Sequence, residues 1–306
     1  MNNLSENTTK TKTLSLGIQF LVSKIDDLRQ LVKFRLTLFV VISSIVGYLM
    51  ALTGTLELMQ LFYLACGGFL ITGAANTLNQ ILEKDYDALM QRTASRPLPT
   101  GRMEVTEAII WAGLMAVIGI LFLALFNLFT AILGATSLVI YAFIYTPLKR
   151  ITPLSVAIGA IPGALPSVIG CIALEGKLTL LSITLFGIQF FWQFPHFWSI
   201  GWLGFDEYKK AGFNIMPLPS HERDRSIGMY SMIYALFLIP ISLLFVLNPS
   251  VSNGAIGLLC IAAFAFAYAA WELFKYNDMA HARKLLFASL MYLPFIQITL
   301  LLDKWL

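Results

Sequence analysis

Asn79, Glu83 and Asp87 stand four residues apart at the end of a strongly apolar stretch. A step of four residues along an α-helix turns a side chain by only ~40° and raises it by ~6 Å, so all three share one face. Three oxygen-bearing side chains on one face are suited to a hard divalent cation, and the nearby Arg92 and Arg96 are suited to a phosphate. The alternative is an ordinary helix end with solvated acids. Because carboxylates at a membrane boundary are costly to desolvate, the spacing favours a functional site.

The composition indicates an all-α, polytopic membrane protein. Of the 306 residues, 58% are hydrophobic and only 12% are charged, which is too little charge for a water-soluble domain of this length. A helix needs ~17–25 apolar residues to cross a bilayer. We predict about nine such spans, with tight turns between the third and fourth and between the seventh and eighth: 36–53, 58–82, 105–126, 128–146, 153–174, 178–201, 227–247, 252–273 and 284–302.

The distribution of positive charge predicts the orientation of these spans. If the N-terminus is cytoplasmic, all but Lys177 and Lys304 of the 21 Lys and Arg residues fall on the cytoplasmic side. The positive-inside rule therefore predicts a cytoplasmic N-terminus, an external C-terminus and an odd number of spans. The net charge of +4 reflects this asymmetry of the loops and does not indicate a nucleic-acid partner.

The chain divides into two parts. Residues 1–35 form a cytoplasmic N-terminal segment, in which the apolar spacing of residues 14–35 predicts a helix lying on the membrane surface. Residues 36–306 form a single transmembrane domain, since no linker is long enough to separate soluble domains. Its two long loops, 83–104 and 202–226, lie on the same predicted side.

Further polar residues collect on that side. Asp206 and Glu207 follow the sixth span, and two acidic segments on one face of a bundle can converge on one site. Lys149 and Arg150 end the fourth span, where they act either as interfacial anchors or as neutralising charges for a phosphate. The acids beyond residue 221 are more typical of a solvated loop.

The sixth span ends in an aromatic run that contains polar residues. Pro195 should disturb the helix and free backbone carbonyls, while Gln193 and His196 interrupt an aromatic wall. Such a wall can line a pocket for a flat macrocycle or an isoprenoid chain, or stabilise a carbocation. The alternative is an interfacial aromatic belt with a packing histidine.

Three ordered segments carry a resemblance to a known family. Asn79-x3-Glu83-x3-Asp87 resembles the first acidic motif of the UbiA-type intramembrane prenyltransferases, and the longer match resembles the protohaem IX farnesyltransferase (haem O synthase) branch. The match covers about Lys33 to Pro217. The first signature runs from Asn79-Gln80 to Gly101 and includes Met90, Arg92-Thr93 and Arg96-Pro97-Leu98. The second is Tyr145-Thr146-Pro147-Leu148-Lys149-Arg150 with Gly159 and Gly163-Ala164. The third is Trp192-Gln193-x-Pro195-His196-Phe197 with Tyr208 and Ala211-Gly212.

The chain departs from the family pattern at two positions. Glu83 stands where many members of the superfamily have Asp, although Glu is familiar in the haem-farnesylating branch. The second loop lacks a regular Asp-x3-Asp, because Asp206 is followed four residues later by Lys210. The ligands of the second loop are therefore less well defined than those of the first.

The resemblance implies transfer of a farnesyl group from farnesyl diphosphate to a vinyl group of haem b, with release of diphosphate. It implies Mg²⁺, with Mn²⁺ as the alternative, and haem b as a substrate. The metal ligands would be Asn79, Glu83, Asp87 and Asp206, and the catalytic residues Asn79, Glu83, Asp87 and Lys149. The substrate-binding residues would be Arg92, Arg96, Arg150, Gln193, His196, Asp206, Glu207, Tyr208 and Lys209.

The resemblance also implies a place in the cell. We expect a bacterial inner membrane, an active site facing the cytoplasm, the lipid bilayer as surroundings, and a haem A synthase or oxidase-assembly protein as an open partner. A polyprenyltransferase of an aromatic quinone precursor is the alternative enzyme. A transporter is less consistent with the sequence, because no span carries a carboxylate near its midpoint.

Overall fold

A computed structural model describes residues 22–217 and 222–306. Within these ranges the chain forms helices and no strands, which confirms the all-α prediction. A first helix, α1, covers residues 22–31. The others are α2 (Phe34–Ala51), α3 (Leu58–Asp87), α4 (Val105–Ala124), α5 (Leu128–Val139), α6 (Ser155–Glu175), α7 (Leu180–Leu203), α8 (Phe205–Lys210), α9 (Ser226–Leu243), α10 (Asn253–Tyr276) and α11 (Met279–Trp305).

Each of the nine predicted spans corresponds to one long helix in the described ranges. The α5 span continues through a π-helical turn, Ile140–Tyr145, and a last turn, Thr146–Leu148. By length and apolar composition, eight of the nine helices are able to cross a membrane, and α7 is the exception. Gln189, Gln193 and His196 lower the mean hydropathy of α7. The orientation of the bundle remains a prediction.

In the described ranges the helices pack around two large hydrophobic clusters that share α2 and α6. One cluster joins α2, α3, α4, α5 and α6, and the other joins α2, α6, α7, α9, α10 and α11. A small third cluster joins α1, the loop after α3 and α4. Most of α6 is buried, as expected for a helix enclosed on several sides by others. A cavity remains between the two clusters, and the polar end of α3 lies beside it.

The first helix is tied to the rest of the bundle by ion pairs. Lys24 contacts Glu107 of α4 at 2.9 Å, and Arg102 in the loop after α3 contacts Asp27 at 2.8 Å. Residues 1–21, which include the first eight residues of the predicted surface helix, lie outside the described residues. The division of the chain at residue 35 therefore remains a prediction.

Candidate active site

The last turns of α3 carry the residues with the four-residue spacing. α3 continues to Asp87, five residues beyond the predicted span, so Asn79, Glu83 and Asp87 share one face of the same helix. All three side chains are buried. The charged tail of α3 is covered by α1 and by the loop after α3. The three side chains therefore lie inside the protein, whereas an ordinary solvated helix end would expose them.

Both carboxylates form ion pairs with cations from later segments. The Lys149 ammonium contacts Glu83 Oε1, and the Arg96 guanidinium donates to Asp87 Oδ2 at 2.6 Å. The Glu83 pair joins α3 to the residue that follows the α5 span, so the first two sequence signatures meet. A buried ion pair is weak evidence for stability, because desolvation offsets most of the attraction. Two such pairs side by side are better explained by a function.

Lys33 lies in the candidate site, although the sequence marks it only as a positive charge of the N-terminal segment where the family match begins. It joins α1 to α2 in a left-handed conformation, with φ 49° and ψ 56°, and donates to Asn79 Oδ1 at 2.8 Å. A residue other than glycine in this conformation carries about 1–3 kcal/mol of strain, which is often found at functional sites. Burial, together with the positive charges of Arg96 and Lys149, lowers the pKa of the Lys33 ammonium to about 7.

Polar side chains of α3 connect it to the end of α1 and to the end of the α5 span. Gln80 donates to the carbonyls of Gln30 and Leu31 at 3.0 and 2.7 Å, and so satisfies the end of α1. Asn79 donates its amide to Thr146 Oγ1 at 3.0 Å. Asn79 therefore contacts Lys33 through its oxygen and the end of the α5 span through its nitrogen.

Two arginines predicted to bind substrate lie over tyrosine rings. Arg92 stacks on Tyr208 with its Cζ atom 4.5 Å from the ring centroid and donates to the Tyr208 hydroxyl. Arg150 lies 4.0 Å from the ring centroid of Tyr86 and donates to its hydroxyl at 2.5 Å. Phe213 lies between the two tyrosines, 6.2 Å from Tyr86 and 6.0 Å from Tyr208. The first and third sequence signatures therefore meet at this surface.

Asp206 is the predicted metal ligand that the structure does not bring to the cluster. It lies on α8, its side chain is largely exposed, and its carboxylate pairs with Arg223 at 2.8 Å. Because Arg223 pairs with this exposed carboxylate on α8, Asp206 stays apart from Glu83 and Asp87. Glu207 is half-buried on the same short helix, and Lys209 is exposed. Tyr208 of α8 contacts Arg92 of the first loop.

The donor set of the cluster suits a magnesium-like ion. Across the described residues, no three His, Cys, Asp or Glu side chains lie close enough together to hold a metal by themselves. Glu83 and Asp87 with the amide oxygen of Asn79 nevertheless supply two carboxylates and a carbonyl-type oxygen. Mg²⁺ is commonly bound by one or two carboxylates, with water and substrate phosphate oxygens completing its octahedron. The residues present therefore fit such an ion when a phosphorylated substrate is bound.

An apolar cavity of about 230 Å³ lies next to the cluster. Asn76, Tyr141 and Tyr145 line its polar end, and Ile71 and Leu123 line it farther along α3 and α4. Residues from α2, α3, α4, α5, α6, α7 and α11 contribute to the wall. Leu36 and Phe39 of α2 also line the cavity and are exposed, so the cavity reaches the membrane-facing surface.

Two glycines of α6 make room for side chains of this wall. A Cβ atom on Gly159 would lie 2.6 Å from the Tyr145 ring, and one on Gly163 would lie 2.0 Å from Gln193 Oε1. Gln193 is seated there by hydrogen bonds from its amide to the carbonyls of Ala160 and Gln189 at 3.1 and 2.9 Å. The glycines of the second signature therefore position residues of the site.

His196 and Trp192 lie together on the cavity wall. Their rings stack with centroids 5.1 Å apart and an angle of 18° between the planes. His196 Nδ1 is 2.9 Å from the hydroxyl oxygen of Ser289 on α11. The histidine predicted to contact substrate is thus partly buried within an aromatic wall that faces the cavity.

Several residues of the candidate site carry no sequence signal of their own. Lys33 carries no motif of its own, and its role depends on a left-handed turn. Tyr86 and Phe213 are ordinary aromatic residues until the two loops meet. Ser289 lies far along the chain from His196, so no spacing rule connects them. Tyr145 begins the second sequence signature, and that motif was the signal that could have identified it as a site residue.

Known proteins provide an independent comparison of the whole chain. Residues 40–292 match the UbiA prenyltransferase family. A protoheme IX farnesyltransferase of Christiangramia forsetii is 44% identical over 291 residues, which are 92% of this chain and 95% of that protein. A protoheme IX farnesyltransferase of Flavobacterium johnsoniae is 40% identical over 300 residues, covering 96% of this chain and 98% of that protein. These matches confirm the resemblance predicted from the three sequence signatures.

Solved structures share the fold at lower identity. A structure of digeranylgeranylglyceryl phosphate synthase superposes with a TM-score of 0.78 at 17% identity, covering 93% of this chain and all of that one. A UbiA homolog from Archaeoglobus fulgidus bound to GPP and Mg²⁺ superposes with a TM-score of 0.64 at 15% identity, covering 92% of this chain and 100% of that one. The helical bundle is thus that of known membrane prenyltransferases. The chain belongs to the UbiA prenyltransferase family.

Proposed function

We propose that this protein transfers a farnesyl group from farnesyl diphosphate to a vinyl group of haem b, giving haem O and diphosphate. Relatives with that activity in their names match at 44% and 40% identity over nearly the full chain. The observation that carries the proposal is the arrangement of the Glu83–Lys149 and Asp87–Arg96 pairs beside an apolar cavity. This arrangement supports the proposal, because cations suited to a charged diphosphate lie next to a space for an apolar chain.

The reaction begins with cleavage of the allylic C–O bond. The electron pair leaves with diphosphate, and a delocalised cation remains on the farnesyl group. Arg96, Lys149 and Lys33 supply positive charge to the diphosphate, and Arg92 adds a further donor at the loop surface. A bound Mg²⁺, or Mn²⁺ as the alternative, would neutralise further charge on the leaving group through Asn79, Glu83 and Asp87. Preorganised charges of this kind act on the negative charge that develops in the transition state.

The farnesyl chain lies in the cavity in this proposal. Tyr145 and Tyr141 present their rings at the polar end, with centroids 5.2 Å apart, and a cation is attracted to the face of such a ring. The apolar walls keep water from the cation until the haem vinyl carbon attacks it. That attack leaves a cation on the other vinyl carbon, where water adds and loses a proton to give the hydroxyethylfarnesyl group.

Haem b occupies the side of the cavity lined by Trp192, Gln193 and His196. A flat macrocycle suits an aromatic wall, and a cavity that opens toward the membrane beside Leu36 and Phe39 can admit a large apolar ring. His196 contributes a nitrogen donor to this wall. We propose it as a haem contact, in contrast to a packing histidine that would affect both substrates alike.

The cellular setting is part of the proposal. The distribution of positive charges supports a bacterial inner membrane with the site facing the cytoplasm, where diphosphate is released into water. The product is strongly apolar and stays in the bilayer. Its receiver is therefore expected to be another membrane protein, such as a haem A synthase or an oxidase-assembly protein.

Mass spectrometry of extracted haem tests the proposal. The protein is expressed in a host that lacks haem O, and we expect haem that carries one added hydroxyethylfarnesyl group. The purified protein is then compared on haem b and on 4-hydroxybenzoate with farnesyl diphosphate. Prenylation of 4-hydroxybenzoate without any change in haem would replace the proposal with the quinone-precursor activity. Absence of both products from folded protein would refute a prenyl transfer to either acceptor.

A further inference from the structure

One residue of α11 holds both rings of the Trp192–His196 stack. The Ser289 carbonyl accepts a hydrogen bond from Trp192 Nε1 at 2.6 Å, and the Ser289 hydroxyl oxygen lies 2.9 Å from His196 Nδ1. Ser289 is fully buried. The two rings belong to neighbouring turns of α7, and both line the cavity. Ser289 therefore restrains the orientation of both rings.

The surroundings of Ser289 bear on which nitrogen of His196 carries the proton. A serine hydroxyl has one proton to donate, and the Leu286 carbonyl, 2.5 Å from Ser289 Oγ, can only accept it. When the proton lies on that hydrogen bond, the same oxygen is an acceptor for Nδ1–H of His196, one of the two arrangements that the 2.9 Å contact allows. In a neutral imidazole the other nitrogen then carries a lone pair. Among the described residues, Ser289 is the one hydrogen-bond partner of the His196 ring, which leaves Nε2 available.

We propose that Ser289 is a positioning residue that holds His196 with Nδ1 protonated, so that the Nε2 lone pair can ligate the iron of haem b. This inference rests on the proposed function for its choice of ligand. Histidines that bind metal usually donate their other N–H to a fixed acceptor, which orients the ring and raises its basicity. Imidazole nitrogen is also a common axial ligand of haem iron. The stack on Trp192 restricts rotation of the ring.

A purely structural role for Ser289 predicts different behaviour. If the hydrogen bonds only join α7 to α11, then removing the hydroxyl lowers stability and weakens every ligand of the cavity to a similar degree. If the hydroxyl instead sets the state of His196, the loss is confined to ligands that contain iron. Metal-free protoporphyrin IX has the same ring, vinyl groups and propionates as haem b. Comparison of the two ligands therefore separates iron ligation from packing.

The test uses the full-length protein in lipid nanodiscs with Ser289→Ala, His196→Ala and the control Ser231→Ala. Ser231 is also fully buried, lies on α9 and does not line the cavity. We expect Ser289→Ala to weaken haem b binding by about 10-fold or more, the usual effect of losing a partner of a metal-bound histidine. Its Soret band should shift, while binding of metal-free protoporphyrin IX and farnesyl diphosphate should match the wild type. Ser231→Ala should change none of these.

A second measurement covers the case in which Ser289→Ala folds poorly. Added imidazole can enter the space left by His196→Ala and should restore the wild-type Soret position. Equal weakening of haem b and metal-free protoporphyrin IX in Ser289→Ala would overturn the proposal, as would an unchanged haem spectrum in both variants. If the wild type binds haem with the histidine-type spectrum yet forms no prenylated product, the proposed function fails and the role of Ser289 stands.

Discussion

The buried carboxylates provide the most direct test of the site. We predict that Glu83→Gln and Asp87→Asn each lower kcat/KM for prenyl transfer by about 10²–10³-fold, the loss typical of removing one electrostatic stabiliser. Both changes keep the size of the side chain and remove its charge. Each variant should also need more Mg²⁺ to reach its maximal rate, because an amide is a weaker ligand for a hard cation than a carboxylate.

The effect of Glu83→Gln on folding should be smaller than its effect on activity. Removing one partner of a fully buried ion pair costs about 3–5 kcal/mol. Lys149 keeps other favourable surroundings, since its ammonium lies 5.0 and 5.1 Å from the ring centroids of Tyr145 and Phe213. We therefore expect less than that loss, visible as a lowered Tm in detergent with the protein still folded.

The assay follows haem O by liquid chromatography and mass spectrometry while Mg²⁺ is varied. Glu107→Gln is the matched control, because it removes a partly exposed ion pair with Lys24 away from the candidate ligands. Asp206→Asn examines the ligand predicted from sequence, and its exposed carboxylate leads us to expect a much smaller change in Mg²⁺ dependence. Normal turnover at normal Mg²⁺ in both Glu83→Gln and Asp87→Asn would refute the assignment of a metal site.

Other substitutions test the diphosphate donors, the cavity and the seat of Gln193. Arg92→Lys and Arg96→Lys should each weaken binding of farnesyl diphosphate more than binding of haem b in titration calorimetry, because lysine lacks the planar guanidinium group. Unchanged affinity for farnesyl diphosphate in both variants would mean that the two arginines are interfacial anchors. Leu123 lines the cavity, so Leu123→Ala should raise the rate with geranylgeranyl diphosphate relative to farnesyl diphosphate, whereas Leu121→Ala at a lipid-exposed position should not. The same ratio of the two rates in both variants would contradict the placement of the prenyl chain in the cavity. Gly163→Ala should destabilise the protein by about 1–3 kcal/mol through overpacking, and an unaltered Tm would contradict the close contact with Gln193.

The helices and the first acidic motif were predictable because both depend on local pattern. Apolar runs of membrane-spanning length located all nine long helices, and the four-residue spacing correctly required α3 to stay helical to Asp87. Boundaries were less accurate where a cap decides them. The last helix begins at Met279 rather than near residue 284, because the Asp278 side chain accepts from the His281 backbone N–H and caps it.

The contacts between segments were not predictable to the same degree. The motif indicated that Lys149 could be near the acids, but the sequence did not show that it pairs with Glu83 while Arg96 pairs with Asp87. Lys33 was missed because its position depends on a left-handed residue between two helices, and no propensity identifies lysine there. Asp206 was predicted as a metal ligand from the family resemblance, but on α8 its exposed carboxylate pairs with Arg223, a contact between segments that no local pattern shows.

We predict from the charges of the site that metal and diphosphate bind together. Without substrate, Lys149 and Arg96 neutralise Glu83 and Asp87, and Lys33 contacts the Asn79 oxygen. If a metal ion bound to the Glu83, Asp87 and Asn79 oxygens without diphosphate, the side chains that now contact these oxygens would lose their partners. Buried charges without a partner are unfavourable. Diphosphate supplies the missing negative charge, so each ligand should strengthen the other, as linkage requires. We predict that Mg²⁺ titrated into the protein alone binds weakly, and that farnesyl diphosphate binds more tightly with Mg²⁺ in the wild type than in Glu83→Gln. Equal Mg²⁺ dependence of diphosphate binding in the two proteins would show that Glu83 does not couple them.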